Sequence, residues 1–397
     1  MLTPAQLDII KATVPLLETG GEALTTHFYN LLLSNHPEVR PLFNQAHQAS
    51  GAQPRALANG VLMYAKNIDR LEALGPLAQQ IVQKHVALQV LPEHYPLVGA
   101  CLLRAIREVL GAEVATDAVI DAWGAAYGQL ADLLIGAEEQ RYQQNATAPG
   151  GWRGARKFRV ARKQPESSEI TSFYLEPTDG GALLDFKPGQ YLGLQLVIDG
   201  EEVRRNYSLS DAPNGRNYRI SVKREPGGKV SNHLHDNVQA GDVIGVFAPA
   251  GDFTLAEGER PVVLISGGVG VTPTLAMLNA ALAAVPGRPV HFIHCARNAD
   301  VHAFQEHVDA LAQQHPQLQA FCCYEVHDDA ADQPAPDAVG RLQREHLAQW
   351  LPEDRDVDAY FLGPTPFMAQ VRRDLCALGV PAAQTRYEFF GPAQALE

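Results

Sequence analysis

The spacing of apolar residues divides the 397-residue chain into three stretches of different character. Through residues 1–147, apolar side chains recur three and four positions apart, which is typical of helices that bury one face. Thr3 and Pro4 suit the cap and the first position of a helix, so an all-helical stretch is predicted to begin there. The predicted helices cover residues 5–17, a second one around 24–32, and then 53–68, 77–89, 95–110 and 117–143.

The second stretch, from about residue 152 to 258, contains short apolar runs that are typical of β-strands. It follows the run Ala-Pro-Gly-Gly at 148–151, which ends the last helix and predicts a linker. The run Pro-Asn-Gly-Arg at 213–216 predicts a hairpin turn between strands at 207–209 and 218–222. These features predict a small antiparallel β-barrel or sandwich.

In the third stretch, from Arg260 onward, strand and helix patterns alternate. Such alternation predicts an α/β domain with a doubly wound parallel sheet. The predicted strands lie at 262–266, 290–295, 318–325 and 357–362, and the helices at 273–284, 301–314, 341–351 and 366–378. Residues 327–337 are rich in Asp, Pro and Ala and predict an exposed loop. The predicted domains are therefore 1–147, 148–258 and 259–397.

Charge and cysteine content narrow the possible functions. The formal net charge of −13 argues against a nucleic-acid partner, because phosphate binding needs clustered Lys and Arg. No apolar run reaches the roughly 18 residues of a membrane span, and the N-terminus lacks the layout of a signal peptide. The five cysteines show no Cys-x-x-Cys spacing, which predicts free thiols in a reduced, cytoplasmic protein.

The first candidate for chemistry is His85, which shares a predicted helix face with Ile81 and Leu88. Alone, this pattern is more typical of a hydrogen-bonded core histidine than of a metal ligand. Tyr95 and Glu138 supply a phenol and a carboxylate that could reach the far side of the imidazole. A carboxylate there would make the histidine a more basic ligand.

A candidate flavin site begins with the run Arg205, Asn206, Tyr207 and Ser208, on a strand that follows Tyr191. An arginine can pair with a phosphate, a tyrosine can stack on the isoalloxazine, and a serine can bond to its edge. About twenty residues later, Val230 and Ser231 lie in a small-residue run that could bring N–H groups to a pyrophosphate at a helix start. Without this second motif, the first is equally compatible with a β-hairpin that has a polar edge.

A candidate dinucleotide site follows the predicted strand 262–266, where glycines permit a tight turn into a helix. Thr272 and Pro273 are predicted at the helix cap and in its first turn. The residues assigned to this site are Gly267, Gly268, Val269, Gly270, Val271, Thr272 and Pro273.

In this order the motifs resemble those of the flavohaemoglobin family, the bacterial nitric oxide dioxygenases, over residues 1–392. The resemblance implies a globin domain with haem b, a β-barrel domain with FAD and an α/β domain that takes NADH or NADPH. It implies that NAD(P)H reduces FAD, that FAD reduces the haem iron, and that the oxygenated haem oxidises nitric oxide to nitrate. The expected partners are O2 and nitric oxide, and a monomer is expected.

The resemblance also implies roles for individual residues. His85 is expected as the proximal iron ligand, Tyr95 and Glu138 as its hydrogen-bonding partners, and Lys84 as a residue near both haem and flavin. The expected distal residues are Tyr29, Gln53 and Leu57, with Phe43 wedged against the haem. The C-terminal cofactor segment is expected to be Glu388, Phe389, Phe390, Gly391 and Pro392. Phe390 would cover the flavin and Glu388 would lie between flavin and haem, whereas Phe389 has no individual role.

Two positions leave questions open. Leu362 stands where the family has a cysteine near the point of hydride transfer. Arg297 could meet a 2′-phosphate of NADPH or could be an ordinary surface arginine. Two other functions remain as alternatives, namely a flavin-dependent reductase of ferric iron, quinones or hydroperoxides, and a non-catalytic globin that binds O2 or nitric oxide.

Overall fold

The computed structural model describes residues 2–328, 335–392 and 396, so part of the predicted loop 327–337 lies outside the described residues. The chain divides into two compact units. The first comprises Met1–Ala148, Trp152–Gly154 and Gln195–Arg205, and the second comprises Pro149–Gly151, Ala155–Leu194 and Asn206–Glu397. The division into three domains, with boundaries at 148 and 259, stays a prediction.

Helices build the first unit, as its sequence pattern predicts. They are α1 Pro4–Asn35, α2 Gln45–Ala49, α3 Ala52–Lys66, α4 Gly75–Leu88, α5 His94–Leu110 and α6 Asp117–Thr147, with 3-10 turns at Pro37–Leu42 and Leu71–Leu74. Thr3 caps α1: its hydroxyl accepts a hydrogen bond from the Gln6 N–H, and Pro4 occupies the first turn.

The prediction of two helices before residue 35 is wrong, because α1 continues without a break across residues 18–23; it also contains Pro15. A proline inside a helix costs about 3 kcal/mol relative to alanine. The buried stripe continues on both sides of it, from Ile10 and Leu17 to Phe28 and Leu32. Burial of such side chains contributes about 1.5–3 kcal/mol each, so packing outweighs the local cost.

The predicted antiparallel sheet is present. Its strands are β1 Arg156–Pro165, β2 Ile170–Pro177, β3 Tyr191–Ile198, β4 Glu201–Ser208, β5 Tyr218–Lys223 and β6 Val243–Val246, and α7 spans Lys229–Asp236. The strand order is β4-β3-β6-β1-β2-β5. A single antiparallel bridge from Leu209 to Ile220 links the two ends of this order, which closes the sheet into a barrel.

The turn predicted at 213–216 forms, because the Asn214 side-chain oxygen accepts from the N–H groups of Arg216 and Asn217 at 2.9 and 3.0 Å. The hairpin predicted around it forms only in part. β5 pairs along its length with β2, and only one bridge connects it to the residue after β4. A turn motif specifies the local reversal of the chain and leaves the choice of partner strand to the packing of the barrel.

The alternating stretch folds as a parallel sheet in the order β10-β9-β8-β7-β11-β12. Its strands are β7 Val262–Gly267, β8 Val290–Ala296, β9 Leu318–Tyr324, β10 Ala338–Val339, β11 Asp358–Leu362 and β12 Thr385–Tyr387. The helices are α8 Val271–Ala284, α9 Gln305–Gln314, α10 Arg344–Trp350 and α11 Thr365–Ala377. The short edge strands β10 and β12 were not predicted, since two or three residues carry too little periodicity.

The predicted fold class is thus confirmed: a helical stretch, an antiparallel β-barrel and a parallel α/β sheet in that order. Among residues 2–328, 335–392 and 396, we find no helix with the length and apolar character needed to cross a membrane.

Candidate functional site

His85 lies in the last turn of α4, and hydrogen-bonding partners at its Nδ1 hold the ring. Its Nδ1 is 2.7 Å from Oε1 of Glu138, which lies on α6 and is only 2% exposed. The Tyr95 hydroxyl donates to the same Oε1 at 2.6 Å and lies 3.2 Å from the histidine Nδ1. The carboxylate therefore sets the ring orientation and leaves Nε2 as the nitrogen that can bind a metal.

The Tyr95 phenol remains protonated in this group. Burial raises its pKa, and its hydrogen bond to the Glu138 carboxylate raises it further. A neutral phenol that donates to Glu138 supplies a bond to a charged acceptor, which is stronger than one between neutral groups. His85, Tyr95 and Glu138, here called the proximal triad, thus form one hydrogen-bonded set.

Tyrosines that sequence reasoning missed hold the main chain around this triad. The Tyr127 hydroxyl donates to the Tyr95 carbonyl at 2.6 Å, and the Tyr142 hydroxyl donates to the Val90 carbonyl at 2.7 Å. Tyr127 approaches so closely that a Cβ on Gly99 would lie 2.6 Å from its ring. The only available sequence signal was a pair of tyrosines on the same helix as Glu138, and this pattern is too common to assign a role.

A second group gathers around Tyr29 on α1, which is 7% exposed. Burial raises the pKa of its phenol, and a hydrogen bond with the Gln53 side chain opposes that rise only in part. Gln53 is itself oriented by Gln48, whose amide donates to it at 2.9 Å. The Phe43 ring packs edge-on against Tyr29 with centroids 5.6 Å apart, and Leu57 packs against the same core.

Positive charge collects beside these groups. Burial lowers the pKa of His47, and the nearby charges of Arg205 and Lys84 lower it further. Arg205 donates to the Phe43 carbonyl at 3.5 Å, and its neighbour Arg204 donates to the Leu88 carbonyl at 2.6 Å. His47 and Arg204 were not among the predicted site residues.

This residue set fits a haem. An imidazole backed by a carboxylate is a basic axial ligand, and Phe43 and Leu57 supply apolar surface for a macrocycle. Lys84 and Arg205 supply cations of the kind that pair with propionate carboxylates. The residues predicted for haem binding are thereby gathered in the first unit, although their individual roles stay predictions.

Arg205, which was predicted for the flavin site, belongs to the first unit, whereas the other predicted flavin residues lie in the second unit, on the barrel and at the start of α7. Ser208 is 8% exposed at the end of β4, Tyr207 is half-buried, and Asn206 is exposed. Val230 and Ser231 lie in the first turn of α7, whose cap residue is Gly228. The N–H groups of such a helix start suit a phosphate, so this region fits FAD.

Tyr191 and the C-terminal segment lie close enough to interact. Burial raises the pKa of the Tyr191 phenol strongly, and the charge of Glu388 adds to this effect. Phe390 is 48% exposed and could cover a flat ligand, whereas Phe389 is 9% exposed and packs in the core with its ring 5.8 Å from that of Tyr387. Phe389 is therefore a packing residue here. Gly391 and Pro392 are half-buried beyond it.

The glycine turn after β7 is shaped by a close approach of two main chains. A Cβ on Gly270 would lie 2.1 Å from the Leu362 carbonyl oxygen at the end of β11. Helix α8 starts at Val271, two residues earlier than predicted, so Thr272 lies within its first turn and does not cap it. The Thr272 hydroxyl donates to the Val269 carbonyl at 3.0 Å. Such a turn between strand and helix fits the phosphates of a dinucleotide.

The surroundings of Leu362 and Arg297, the two positions that the sequence left open, are defined in the structure. Leu362 is fully buried and packs under α8 in one core cluster with Val269 of the glycine turn, and its carbonyl oxygen borders Gly270. Arg297 donates to the Glu169 carboxylate, so a 2′-phosphate would have to compete with that carboxylate for the guanidinium.

Comparisons with known proteins agree with this geometry. Family models match the chain as Globin over residues 26–134, Oxidoreductase FAD-binding domain over 157–255 and Oxidoreductase NAD-binding domain over 264–373. The flavohaemoproteins of Pseudomonas putida and Pseudomonas aeruginosa are 67% and 66% identical to it over 397 residues, which is all of each chain. The crystal structure of the Malassezia yamatoensis flavohaemoglobin, with bound FAD and haem, is 26% identical and matches with a TM-score of 0.86, covering 98% of this chain and 100% of that one.

These matches confirm the predicted cofactors, which are haem, FAD and a nicotinamide dinucleotide. They also make the protein an NAD(P)H-dependent oxidoreductase. With two-thirds identity to flavohaemoproteins along its whole length, the chain belongs to the flavohaemoglobin family.

Proposed function

We propose that the protein is a nitric oxide dioxygenase, which uses electrons from NAD(P)H to convert nitric oxide and O2 into nitrate. The observation that carries the proposal is the proximal triad, in which a buried carboxylate holds the Nδ1 of His85. A reversible oxygen store needs no reductase, whereas this chain carries FAD-binding and NAD-binding domains. The Vibrio cholerae protein whose FAD- and NAD-binding part is 45% identical, over 60% of this chain, carries the name nitric oxide dioxygenase.

The triad acts through the basicity of His85. Glu138 accepts a hydrogen bond from the Nδ1–H group, so the ring gains electron density at Nε2, the atom that would hold the iron of a haem. Tyr95 shares the same carboxylate oxygen and thereby limits how far the proton moves toward Glu138. A strongly donating axial ligand favours oxidation chemistry over reversible binding.

Tyr29 acts as the hydrogen-bond donor on the ligand side. Its raised pKa keeps the hydroxyl protonated at neutral pH, and Gln53 fixes the direction of that hydroxyl. With a haem in place, a buried donor at this position would stabilise negative charge on a nearby oxygen atom, because little water competes for the hydrogen bond. Leu57 and Phe43 would add apolar surface that suits uncharged molecules such as O2 and nitric oxide.

The second unit supplies the electrons. The glycine turn at Gly267–Gly270 and the start of α8 would hold the dinucleotide phosphates, and Tyr207 with Ser208 would orient the flavin ring. When bound, FAD accepts the two electrons of a hydride and releases them singly, and haem supplies the iron at which O2 reacts.

Product stoichiometry tests the proposal most directly. The reduced holoprotein is mixed with nitric oxide in aerated buffer, while nitrate and NAD(P)H are followed. Nitrate formation from nitric oxide and O2 takes one electron, so each hydride should support two nitrates. Nitrite as the main product, or NAD(P)H oxidation that is insensitive to nitric oxide, would favour the flavin-reductase alternative instead.

A pair of tyrosine variants tests the ligand-side assignment. Tyr29→Phe should raise the oxygen dissociation rate about ten- to a hundred-fold, since a hydrogen bond to a charged group contributes roughly 1.5–3 kcal/mol. Tyr64→Phe is the matched control, because Tyr64 is equally buried in the same core and donates to the Ala126 carbonyl at 2.8 Å. Equal rates in the two variants would remove Tyr29 from the proposed site.

A further inference from the structure

Cysteines meet on neighbouring strands of the parallel sheet. Cys295 in β8 and Cys323 in β9 are register partners. Both pack on the same side of the sheet, in the core cluster that contains Ile293. Successive side chains of a strand point to opposite faces, so Cys322 faces away from this pair.

The two thiols lie close enough to influence each other. Their interaction, together with burial, raises the pKa of Cys295, and the same interaction lowers the pKa of Cys323. When protonated, Cys323 donates in turn to the Gly340 carbonyl at 3.2 Å. The main chain therefore orients one of two neighbouring thiols that interact.

The backbone spacing suits a covalent link. Neighbouring strands lie about 4.8 Å apart, and disulfides usually join residues whose Cα atoms are about 4.4–6.8 Å apart. Register partners on one face thus start within the required range. Closure would require rotation of the side chains and an approach of the Cβ atoms to their mean separation in disulfides, which is about 3.8 Å.

We propose that Cys295 and Cys323 form an oxidisable dithiol, which hydroperoxides convert into an intramolecular disulfide. Cys295 is the partly exposed member, whereas Cys323 is 2% exposed, so the peroxide meets Cys295 first. This site is independent of the nitric oxide chemistry proposed above.

The reaction balances in two steps. The Cys323 thiolate takes the Cys295 proton as the Cys295 sulfur attacks the peroxide, so an S–O bond forms and the O–O bond breaks. The departing alkoxide, or hydroxide from hydrogen peroxide, takes back the proton that the pair had released to solvent. The Cys323 sulfur then attacks the Cys295 sulfenic acid, the S–O bond breaks, and the leaving hydroxide takes the Cys323 proton to form water. Two electrons pass from the sulfurs to the peroxide.

The position of the pair gives the oxidation a consequence. Both cysteines lie near the carboxyl ends of their strands, and ligands of doubly wound sheets bind beyond that edge. A disulfide would draw the ends of β8 and β9 together. We therefore expect the oxidised protein to have a higher KM for NADH, with dithiothreitol restoring the original value.

Peptide mapping tests the link itself. The full-length holoprotein is exposed to hydrogen peroxide, free thiols are alkylated, and the digest is searched for a peptide pair joined through Cys295 and Cys323. The joined pair should be lighter than its two reduced peptides by about 2 Da, the mass of the two hydrogens lost. Cys376→Ser, which removes an exposed cysteine outside the pair, should form the link as the wild type does. Absence of the link while Cys376 is oxidised would overturn the proposal.

Trapping of the intermediate tests the order of events. In Cys323→Ser, dimedone should label the Cys295 sulfenic acid about tenfold more than in the wild type, because no neighbouring thiol removes it. In Cys295→Ser, Cys323 should stay unlabelled. Labelling of Cys323 in that variant would overturn the assignment of Cys295 as the attacking sulfur, and an unchanged KM for NADH after oxidation would overturn the link to dinucleotide binding.

Discussion

The proximal triad and the glycine turn after β7 are built in opposite ways. In the triad, side chains from α4, α5 and α6 meet through bonds of 2.6 and 2.7 Å, and each atom has a defined partner. At the glycine turn, the main chain forms the site, and the absence of a side chain on Gly270 lets two backbones come close. One site therefore depends on which functional groups are present, and the other depends on how closely two backbones can approach.

A similar contrast separates His85 from the buried histidines of the parallel sheet. His294 contacts the Ser266 hydroxyl at 2.8 Å, and His302 contacts the Tyr324 hydroxyl at 2.7 Å. Neither bond involves a carboxylate, and burial lowers the pKa of both imidazoles. A carboxylate prepares a histidine to bind a metal, whereas a hydroxyl leaves it as a neutral packing residue.

Removal of the ligand should have the largest effect in the first unit. His85→Ala should abolish stable haem retention, because the only ring nitrogen in the triad that could hold the iron is lost, and FAD should remain bound. His94→Ala is the matched control, since His94 is a half-buried histidine whose Nδ1 accepts from the Leu91 N–H. The Soret and flavin absorbances of the purified variants measure both contents. Equal haem content in the two variants would show that His85 is not the ligand.

A single added methyl group should have the largest effect in the second unit. In Gly270→Ala the new Cβ would lie 2.1 Å from a backbone oxygen, so β11 or the turn must move. Overpacking of this kind costs about 1–3 kcal/mol, which corresponds to roughly a ten- to a hundred-fold loss of NADH affinity if the turn absorbs it.

The control is Gly136→Ala, where the added Cβ meets no atom within 4 Å. It should leave NADH affinity unchanged, and haem content should stay constant in both variants. Wild-type affinity in Gly270→Ala would mean that the dinucleotide does not use this turn.

This contrast also explains what the sequence could predict. A main-chain site leaves a local signature, so Gly267, Gly268 and Gly270 could be assigned from a few adjacent letters. A side-chain site leaves no local signature. Glu138 lies 53 residues from His85, and only the resemblance to a family assigned the two residues to one site. Tyr127, His47 and Arg204 carried no motif at all, and the main partner of β5, which is β2, was not predicted because local turn chemistry does not specify strand pairing.

The buried histidine His302 should make the free energy of unfolding depend on pH. The pKa of His302 falls from 6.5 to about 4 on burial. Between these values the unfolded chain binds the proton and the folded chain does not, so the free energy of unfolding decreases as the pH falls from 6.5 to 4. At about 1.36 kcal/mol for each pH unit, the loss reaches about 3 kcal/mol at pH 4.

His302→Gln keeps a hydrogen-bonding group for Tyr324 and removes the titration. Urea unfolding between pH 4 and 7 should therefore give a flatter curve for this variant than for the wild type. Parallel curves would mean that His302 binds its proton at the same pH in the folded and the unfolded chain.

The smallest expected effect comes from Tyr95→Phe in the proximal triad. The variant removes one donor from Glu138 and leaves the 2.7 Å bond from His85 in place. Phenylalanine preserves the ring packing, so no cavity forms, and loss of one hydrogen bond to a charged acceptor should lower the free energy of unfolding by about 1.5–3 kcal/mol. Haem content should match that of the wild type.

Tyr127→Phe is the comparison within the same framework, since it removes the bond to the Tyr95 carbonyl and leaves the triad itself intact. If Tyr95→Phe released haem as completely as His85→Ala, the phenol and not the carboxylate would be the group that holds the ligating histidine, and the contrast between carboxylate-held and hydroxyl-held histidines would no longer stand.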